Sequence, residues 1–173
     1  MFERCTVPAK RAIYFAIVFS HLSEAPAVDS CHLLLGLMRD DESRANTGFD
    51  LREHFPLYCA SPCKFATYQA APKRKPILAD DTKLILARTR MEANVLRDYW
   101  IDTEHLLLGI LGERSSMAAQ YLSKAGLELR AARQVVIEKK SSRPEYGPVS
   151  LWWQLRSPLE WLMFKSGLWK YLR

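Results

Sequence analysis

Apolar residues recur every three or four positions through most of the first 138 residues, which is the period of an amphipathic α-helix. The first series predicts helices over residues 6–22 and 31–38 and a weaker helix around Ala45 and Phe49. The second series predicts helices that begin at Thr103, near Leu127, after a cap at Asp80 or Asp81, and after a cap at Ser115 or Ser116. Thr6 is the predicted cap of the first helix, and we expect Gly126 to end a helix in the left-handed conformation. No segment alternates convincingly between apolar and polar residues, as a half-buried strand would. The pattern therefore predicts an all-α fold.

One nine-residue pattern occurs twice, at a separation of 73 residues: SCHLLLGLM at residues 30–38 and TEHLLLGIL at residues 103–111. In both copies a hydroxyl residue, Ser30 or Thr103, precedes the apolar run, and we expect its side-chain oxygen to cap the following helix. The apolar run is too short to cross a bilayer, so it predicts a buried core helix. Two copies at one offset predict a duplicated helical unit.

Two stretches that contain proline divide the chain. Residues 59–76 include three prolines and predict a linker between repeat one at residues 2–58 and repeat two at residues 77–138. Residues 139–150 predict a second linker, which separates this double-repeat domain, residues 1–138, from a tail at residues 151–173.

The formal net charge of +6 is concentrated at the C-terminal end. Residues 1–138 carry +1 and residues 139–173 carry +5, so the body lacks the basic footprint of a nucleic-acid-binding protein and we expect no nucleic-acid partner. The N-terminus has no secretory signal, and four cysteines in that context indicate reduced thiols. These features predict a cytoplasmic protein.

The tail is rich in tryptophan and in basic residues, and four of the five tryptophans of the chain lie in it. Ser157-Pro158-Leu159-Glu160 predicts the start of an amphipathic helix. We expect a partner surface formed by five aromatic side chains: Trp152, Trp153, Trp161, Phe164 and Trp169. Such a segment can cover its own body, pair with another copy as a homo-oligomer, enter the groove of a protein partner, or lie on an anionic membrane surface.

The duplicated pattern resembles the Clp repeat domain, which forms the N-terminus of the ClpA, ClpB and ClpC class of AAA+ unfoldases. The resemblance covers residues 2–138 and is strongest in YWIDTEHLLLGILGERSSMAAQYLSKAGLELRAARQVV of repeat two. It implies a pseudo-twofold domain of two four-helix repeats, about eight helices in all. The chain has no G-x-x-x-x-G-K-[ST] phosphate loop, so we expect a free-standing Clp repeat protein without the ATPase modules.

The resemblance also implies a candidate ligand site. In ClpC-type domains the motif glutamate of each repeat belongs to a pocket for phosphorylated arginine, and Glu104 stands at that position in repeat two. Asp102 and Thr103 complete the predicted peptide site in the first turn of the helix. Repeat one has Cys31 in place of the glutamate, so at most one site matches. The alternative role for Glu104 is a favourable interaction with the helix dipole.

Other constellations give weaker signals. The paired histidines His32 and His105 lack the companions of a metal site, and we expect structural roles for them. Cys59, Cys63 and His54 would supply only three zinc ligands. We therefore predict no metal, no cofactor and no catalytic residue, and hence a non-enzymatic module that binds substrate proteins, adaptors or a Clp-type unfoldase. The rival prediction is a helical scaffold that its tail anchors to a membrane surface or to another copy.

Overall fold

The structure, a computed structural model, describes residues 2–39, 44–49, 51 and 76–140. Contacts divide the chain into two units, Met1–Lys140 and Ser141–Arg173, and every described residue lies in the first unit. The regular elements of the described residues are a single turn of 3-10 helix at Phe2–Arg4 and seven α-helices: α1 Val7–Leu22, α2 Ser30–Arg39, α3 Arg44–Phe49, α4 Asp80–Val95, α5 Thr103–Gly112, α6 Met117–Lys124 and α7 Leu129–Lys140. The predicted all-α fold is confirmed, whereas the tail lies outside the described residues.

Helix α5 forms the centre of the core. All its residues from Thr103 to Leu111 are buried, and the helix contacts α2, α3, α4, α6 and α7. All leucines of the second copy of the repeated motif, and Leu33, Leu34 and Leu37 of the first, are part of one continuous apolar cluster, whereas Leu35 is only partly buried. The prediction that the motif forms buried core helices is therefore correct.

The glycine of each motif allows two helices to cross closely. A Cβ atom at Gly36 of α2 would lie 2.1 Å from the carbonyl oxygen of Ala12 in α1. A Cβ atom at Gly109 of α5 would lie 2.8 Å from the carbonyl oxygen of Ile85 in α4 and 2.2 Å from the Thr89 hydroxyl. No side chain fits at either position. The α1–α2 pair and the α4–α5 pair therefore cross through the same kind of close contact at a glycine.

The two repeats exchange short backbone pairings. Cys5, which precedes α1, forms an isolated parallel β-bridge with Ile101, which precedes α5. A second parallel bridge joins Leu78, which precedes α4, to Val28, which precedes α2, so the roles of the two repeats are exchanged. All four positions obey the 73-residue offset, so the pseudo-twofold relation predicted from the sequence is also present in the hydrogen bonds.

The ends of α1 and α4 repeat in the same way. Glu24 and Arg97, 73 residues apart, are the only residues other than glycine with positive φ in the described ranges, at 54° and 56°. The N–H of each bonds to a carbonyl of the last helical turn. This left-handed position favours glycine, so both helix ends hold a residue that is not the most stable choice.

Most of the predicted helix caps are confirmed. Thr6 and Ser116 accept hydrogen bonds from the backbone N–H groups of Ala9 and Ala119, and Gly126 has the expected positive φ of 85°. The prediction of an aspartate cap for α4 is wrong. Its N-cap is Ala79, which makes no side-chain cap, and the two aspartates instead lie inside the first turn.

Candidate functional site at the start of helix α5

The predicted site residues Asp102, Thr103 and Glu104 are all buried. Asp102 is the N-cap of α5, and its Oδ1 accepts hydrogen bonds from the Thr103 N–H at 2.7 Å and the Thr6 hydroxyl at 3.0 Å. Since Thr6 itself caps α1, the carboxylate joins the first helix of repeat one to the central helix of repeat two.

The hydroxyl groups of the two motifs do not cap their own helices, so that prediction is wrong. The caps are the preceding aspartates, Asp29 for α2 and Asp102 for α5. The Thr103 hydroxyl instead accepts a hydrogen bond at 3.2 Å from Ala45 in the first turn of α3. The Ser30 hydroxyl similarly accepts one at 3.5 Å from Ala118 in the first turn of α6. Each hydroxyl thus satisfies a free N–H of a helix in the opposite repeat.

The acidic residues at the start of α5 contact an arginine of repeat one. The Arg44 guanidinium nitrogen Nη1 lies 3.3 Å from Asp102 Oδ2 and 3.9 Å from Glu104 Oε1. Arg44 is the first residue of α3, and the exposed fraction of its side chain is 27%. A guanidinium therefore lies beside these carboxylates, and it belongs to the protein itself.

A second polar cluster lies beside this one. His105 closes the capping box: its Nδ1 accepts a hydrogen bond at 2.9 Å from the N–H of Asp102. Its Nε2 lies 3.1 Å from Asp98 Oδ2, so the bound tautomer carries its proton on Nε2 and donates it to the carboxylate. Lys140, the last residue of α7, lies 2.7 Å from Asp98 Oδ1 and also donates to the carbonyl of Leu96.

The Asp98 carboxyl is acidic in the folded chain. Partial burial acts to raise its pKa, but the hydrogen bonds and positive charges of His105 and Lys140 outweigh burial and hold the pKa well below its usual range. Asp98 is therefore ionised at neutral pH, and it ties the end of α7 to the start of α5.

Asp98, Glu104 and His105 also have ligand atoms within 4.8 Å of one another, which is close enough for one metal ion to lie between them. The arrangement does not suit a metal, because His105 accepts a backbone N–H at Nδ1 and so keeps its proton on Nε2. Lys140 and Arg44 already supply positive charge to the two carboxylates. This cluster therefore works as a structural ion-pair network.

A serine, a histidine and an aspartate of repeat one lie in a row. Ser23 Oγ is 3.0 Å from His32 Nε2, and His32 Nδ1 is 2.7 Å from Asp29 Oδ1. Hydrolases use this order of groups, but the Ser23 hydroxyl donates to two main-chain carbonyls at the end of α1. In repeat two, Leu96 stands at the position of Ser23, and His105 still forms the capping box of α5. The row is therefore explained as a helix cap.

The thiols of the described chain offer no clear nucleophile. Neither Cys5 nor Cys31 forms a disulfide within the described residues. Cys5 is buried, and burial raises the pKa of its thiol, so the reactive thiolate is disfavoured. The candidate zinc ligands His54, Cys59 and Cys63, and the aromatic residues of the tail, lie outside the described residues.

Sequence reasoning missed Arg44, Asp98 and Lys140. Their partners are distant in sequence, and no local pattern marks them. The repeat offset gives a partial signal for Arg44, which occupies the position that Met117 holds in repeat two. A charged residue in place of an apolar one predicts an acidic residue close to it in the fold.

The sequence around this site is similar to that of a known family of domains. The profile of the Clp repeat (R) N-terminal domain matches residues 78–149. A probable ATP-dependent Clp protease ATP-binding subunit of Chlamydia pneumoniae is 27% identical over 147 residues, which is 80% of this chain and 17% of that protein. The chain thus spans about a sixth of that relative's length.

Solved structures agree on the fold. The N-terminal domain of ClpD from Arabidopsis thaliana superposes with a TM-score of 0.58 at 20% identity, over 82% of this chain and 97% of that domain. The N-terminal domain of Hsp104 from Candida albicans gives a TM-score of 0.58 at 15% identity, over 80% of this chain and 92% of that domain. Residues 78–149 thus match the Clp repeat (R) N-terminal domain, and the described fold is that of the ClpD and Hsp104 N-terminal domains.

Proposed function

We propose that this chain is a non-enzymatic protein-binding module of a Clp-type chaperone or protease system in the cytoplasm. Its partners would be substrate proteins, adaptor proteins or a Clp-type AAA+ unfoldase. The observation that carries the proposal is the extent of the fold: the chain aligns with 97% of an isolated Clp N-terminal domain. Domains of this family in Clp chaperones are protein-interaction modules, so a chain with the whole fold contains what such binding needs.

Affinity capture tests the proposal. The full chain, immobilised at one terminus, is incubated with an extract of its host, and bound proteins are identified by quantitative mass spectrometry. We expect a Clp-type unfoldase, its adaptors or its substrates to be enriched over a bead control. Recovery of none of these classes would contradict the proposal.

The non-enzymatic part has its own test at the Ser23–His32–Asp29 row. Because the serine proton is directed to backbone carbonyls, we expect the chain to hydrolyse an activated ester no faster than its Ser23→Ala variant. Faster hydrolysis by the wild type, saturable in the ester, would show that the chain is an enzyme.

The predicted peptide site at Asp102, Thr103 and Glu104 belongs to the same proposal. Arg44 supports it by showing that a guanidinium fits there, and a phosphoarginine peptide would have to displace that side chain. We expect calorimetry to show binding that Glu104→Ala weakens and that Arg44→Ala strengthens. Glu128→Ala, at an exposed glutamate, is the matched control. No binding to either the wild type or Arg44→Ala would refute a phosphoarginine site.

The alternative function rests on the composition of residues 151–173, where Trp152, Trp153, Trp161, Phe164 and Trp169 accompany basic residues. No helix in the described ranges is long and apolar enough to cross a membrane. Flotation with anionic liposomes, with and without residues 151–173, distinguishes a membrane surface from a protein partner. Sedimentation of the same two chains measures self-association.

A further inference from the structure

Helix α4 carries a second apolar stripe, on the side that faces away from the core. Five of the eight large apolar side chains that are exposed in the described part of the chain lie between residues 77 and 99. Three of them are on α4: Leu84, Met91 and Val95, with exposed fractions of 52%, 62% and 65%. The buried side of the same helix holds Ile85, Leu86, Thr89, Glu92 and Ala93.

Helix geometry places the three side chains in one line. Separations of 7 and 11 residues correspond to about two and three complete turns, so Leu84, Met91 and Val95 project in nearly the same direction over about 16 Å. Arg88, one turn after Leu84, adds its aliphatic stem to the line while its head group pairs with Glu113 at 3.0 Å. Tyr99, 65% exposed, follows the end of the helix. We call Leu84, Met91 and Val95 the α4 stripe.

The duplicated fold does not require this stripe. At the 73-residue offset, the position of Leu84 is occupied in α1 by Arg11 and that of Met91 by Val18, which is buried. The position of Val95 alone keeps an exposed apolar residue, Leu22, at 43%. Repeat one is therefore built on the same plan without an exposed apolar line there. A surface helix of a soluble protein needs only one apolar face, directed to the core, so the second stripe points to a partner.

The charges around the stripe indicate the partner's chemistry. The exposed charged residues of residues 80–97 are Asp80, Lys83, Arg88, Arg90 and Arg97, and they give a local charge of +3. Lys83 pairs with Asp80 at 2.7 Å and Arg88 with Glu113, whereas no ion pair within the described ranges involves Arg90 or Arg97. This net positive charge on the exposed side of α4 favours acidic side chains in a partner.

We propose that the α4 stripe is a docking surface for an acidic amphipathic helix of another protein. The partner helix would place apolar residues, at spacings of three and four, against Leu84, Met91 and Val95, with Asp or Glu on its edges towards the exposed basic residues of α4. This inference rests on the proposed function, because it names one surface and one partner class for the same binding module.

The experiment uses the full chain and two synthetic helical peptides with the same apolar face, one with glutamates on both edges and one with lysines there. Titration is followed in ¹H–¹⁵N correlation spectra. We expect the acidic peptide to shift the amide signals of α4 at concentrations below about 1 mM and the basic peptide to bind at least about tenfold more weakly. Met91→Glu should weaken the acidic peptide by a similar factor, whereas Met117→Glu, at an exposed methionine on α6, should leave it unchanged.

Four results would overturn the inference: no binding at that concentration, equal binding of both peptides, shifts confined to other helices, or α4 signals that move with protein concentration alone, which would identify a second copy as the occupant. Circular dichroism confirms that both methionine variants remain folded. If the peptide fails while capture from the extract still recovers Clp proteins, the docking surface is wrong and the proposed function stands. If the peptide binds and the capture fails, the proposed function is the part that is wrong.

Discussion

Replacing Arg44 by methionine removes its guanidinium from the start of α5 and leaves an aliphatic side chain of similar reach. Methionine is also the residue that occupies this position in repeat two, as Met117, so helix α3 should tolerate it. The substitution leaves Asp102 with its bonds to Thr103 and Thr6 but removes its contact with Arg44, and the Glu104 carboxylate stays close by.

The expected loss of stability follows from the two distances. Removing one partner of a buried ion pair costs about 3–5 kcal/mol, because an uncompensated charge stays buried, and Asp102 is the buried partner of the 3.3 Å contact. The 3.9 Å contact with Glu104 is an ion pair without a hydrogen bond, and Arg44 is partly exposed to water, which weakens both. We therefore expect Arg44→Met to lower the free energy of unfolding by about 2 kcal/mol.

Urea unfolding followed by far-ultraviolet circular dichroism measures this change, since the described body has helices throughout. A double-mutant cycle with Asp102→Asn and with Glu104→Gln apportions it, and the coupling of Arg44 to Asp102 should exceed its coupling to Glu104. A change below about 0.5 kcal/mol, which is the size of an ordinary surface substitution, or the reverse order of couplings would refute the reasoning.

Three further predictions concern the fold around this site. Arg97→Gly should raise the free energy of unfolding by about 1 kcal/mol in the same assay, because it relieves the positive φ of 56°; an unchanged or lower value would contradict a strained helix end. Gly36→Ala should destabilise by at least about 3 kcal/mol, because its Cβ would lie 2.1 Å from a backbone carbonyl, and a melting temperature within a few degrees of wild type would be inconsistent with so close a crossing. Asp98→Asn should cost about 1–2 kcal/mol at pH 7. The folded-state pKa of Asp98 is lowered, so its contribution is present above the unfolded-state value of about 4 and disappears as the pH falls below it; a difference between wild type and variant that is constant from pH 7 to pH 3 would exclude this linkage.

The sequence predicted the fold well because the fold depends on patterns that are local and repeated. The run around Leu107 and its copy around Leu34 identify two core helices, and their fixed offset predicts the pseudo-twofold relation. Caps that use the nearest residue, such as Thr6 and Ser116, were predictable for the same reason.

The site was less predictable because its partners come from elsewhere in the chain. The sequence identifies Thr103 as a helix-start residue but cannot show that its hydroxyl serves Ala45 of the other repeat. It places Glu104 correctly in the first turn, yet only the tertiary structure shows that Arg44 reaches it. The exposed line on α4 escaped notice because Leu84, Met91 and Val95 also fit the periodicity of a core-facing helix, and periodicity alone cannot tell which face is covered.

The reciprocal bridges between Cys5 and Ile101 and between Leu78 and Val28 have a consequence for how the domain can be divided. Each repeat gives the backbone segment before its first helix to the other, so one repeat alone would expose two unpaired backbone edges. Two identical copies of a single repeat could satisfy those edges by mutual exchange, in the closed symmetry of a homodimer. The smallest unit with complete backbone pairing is therefore the pair of repeats, and a deletion in one repeat removes a paired segment from both.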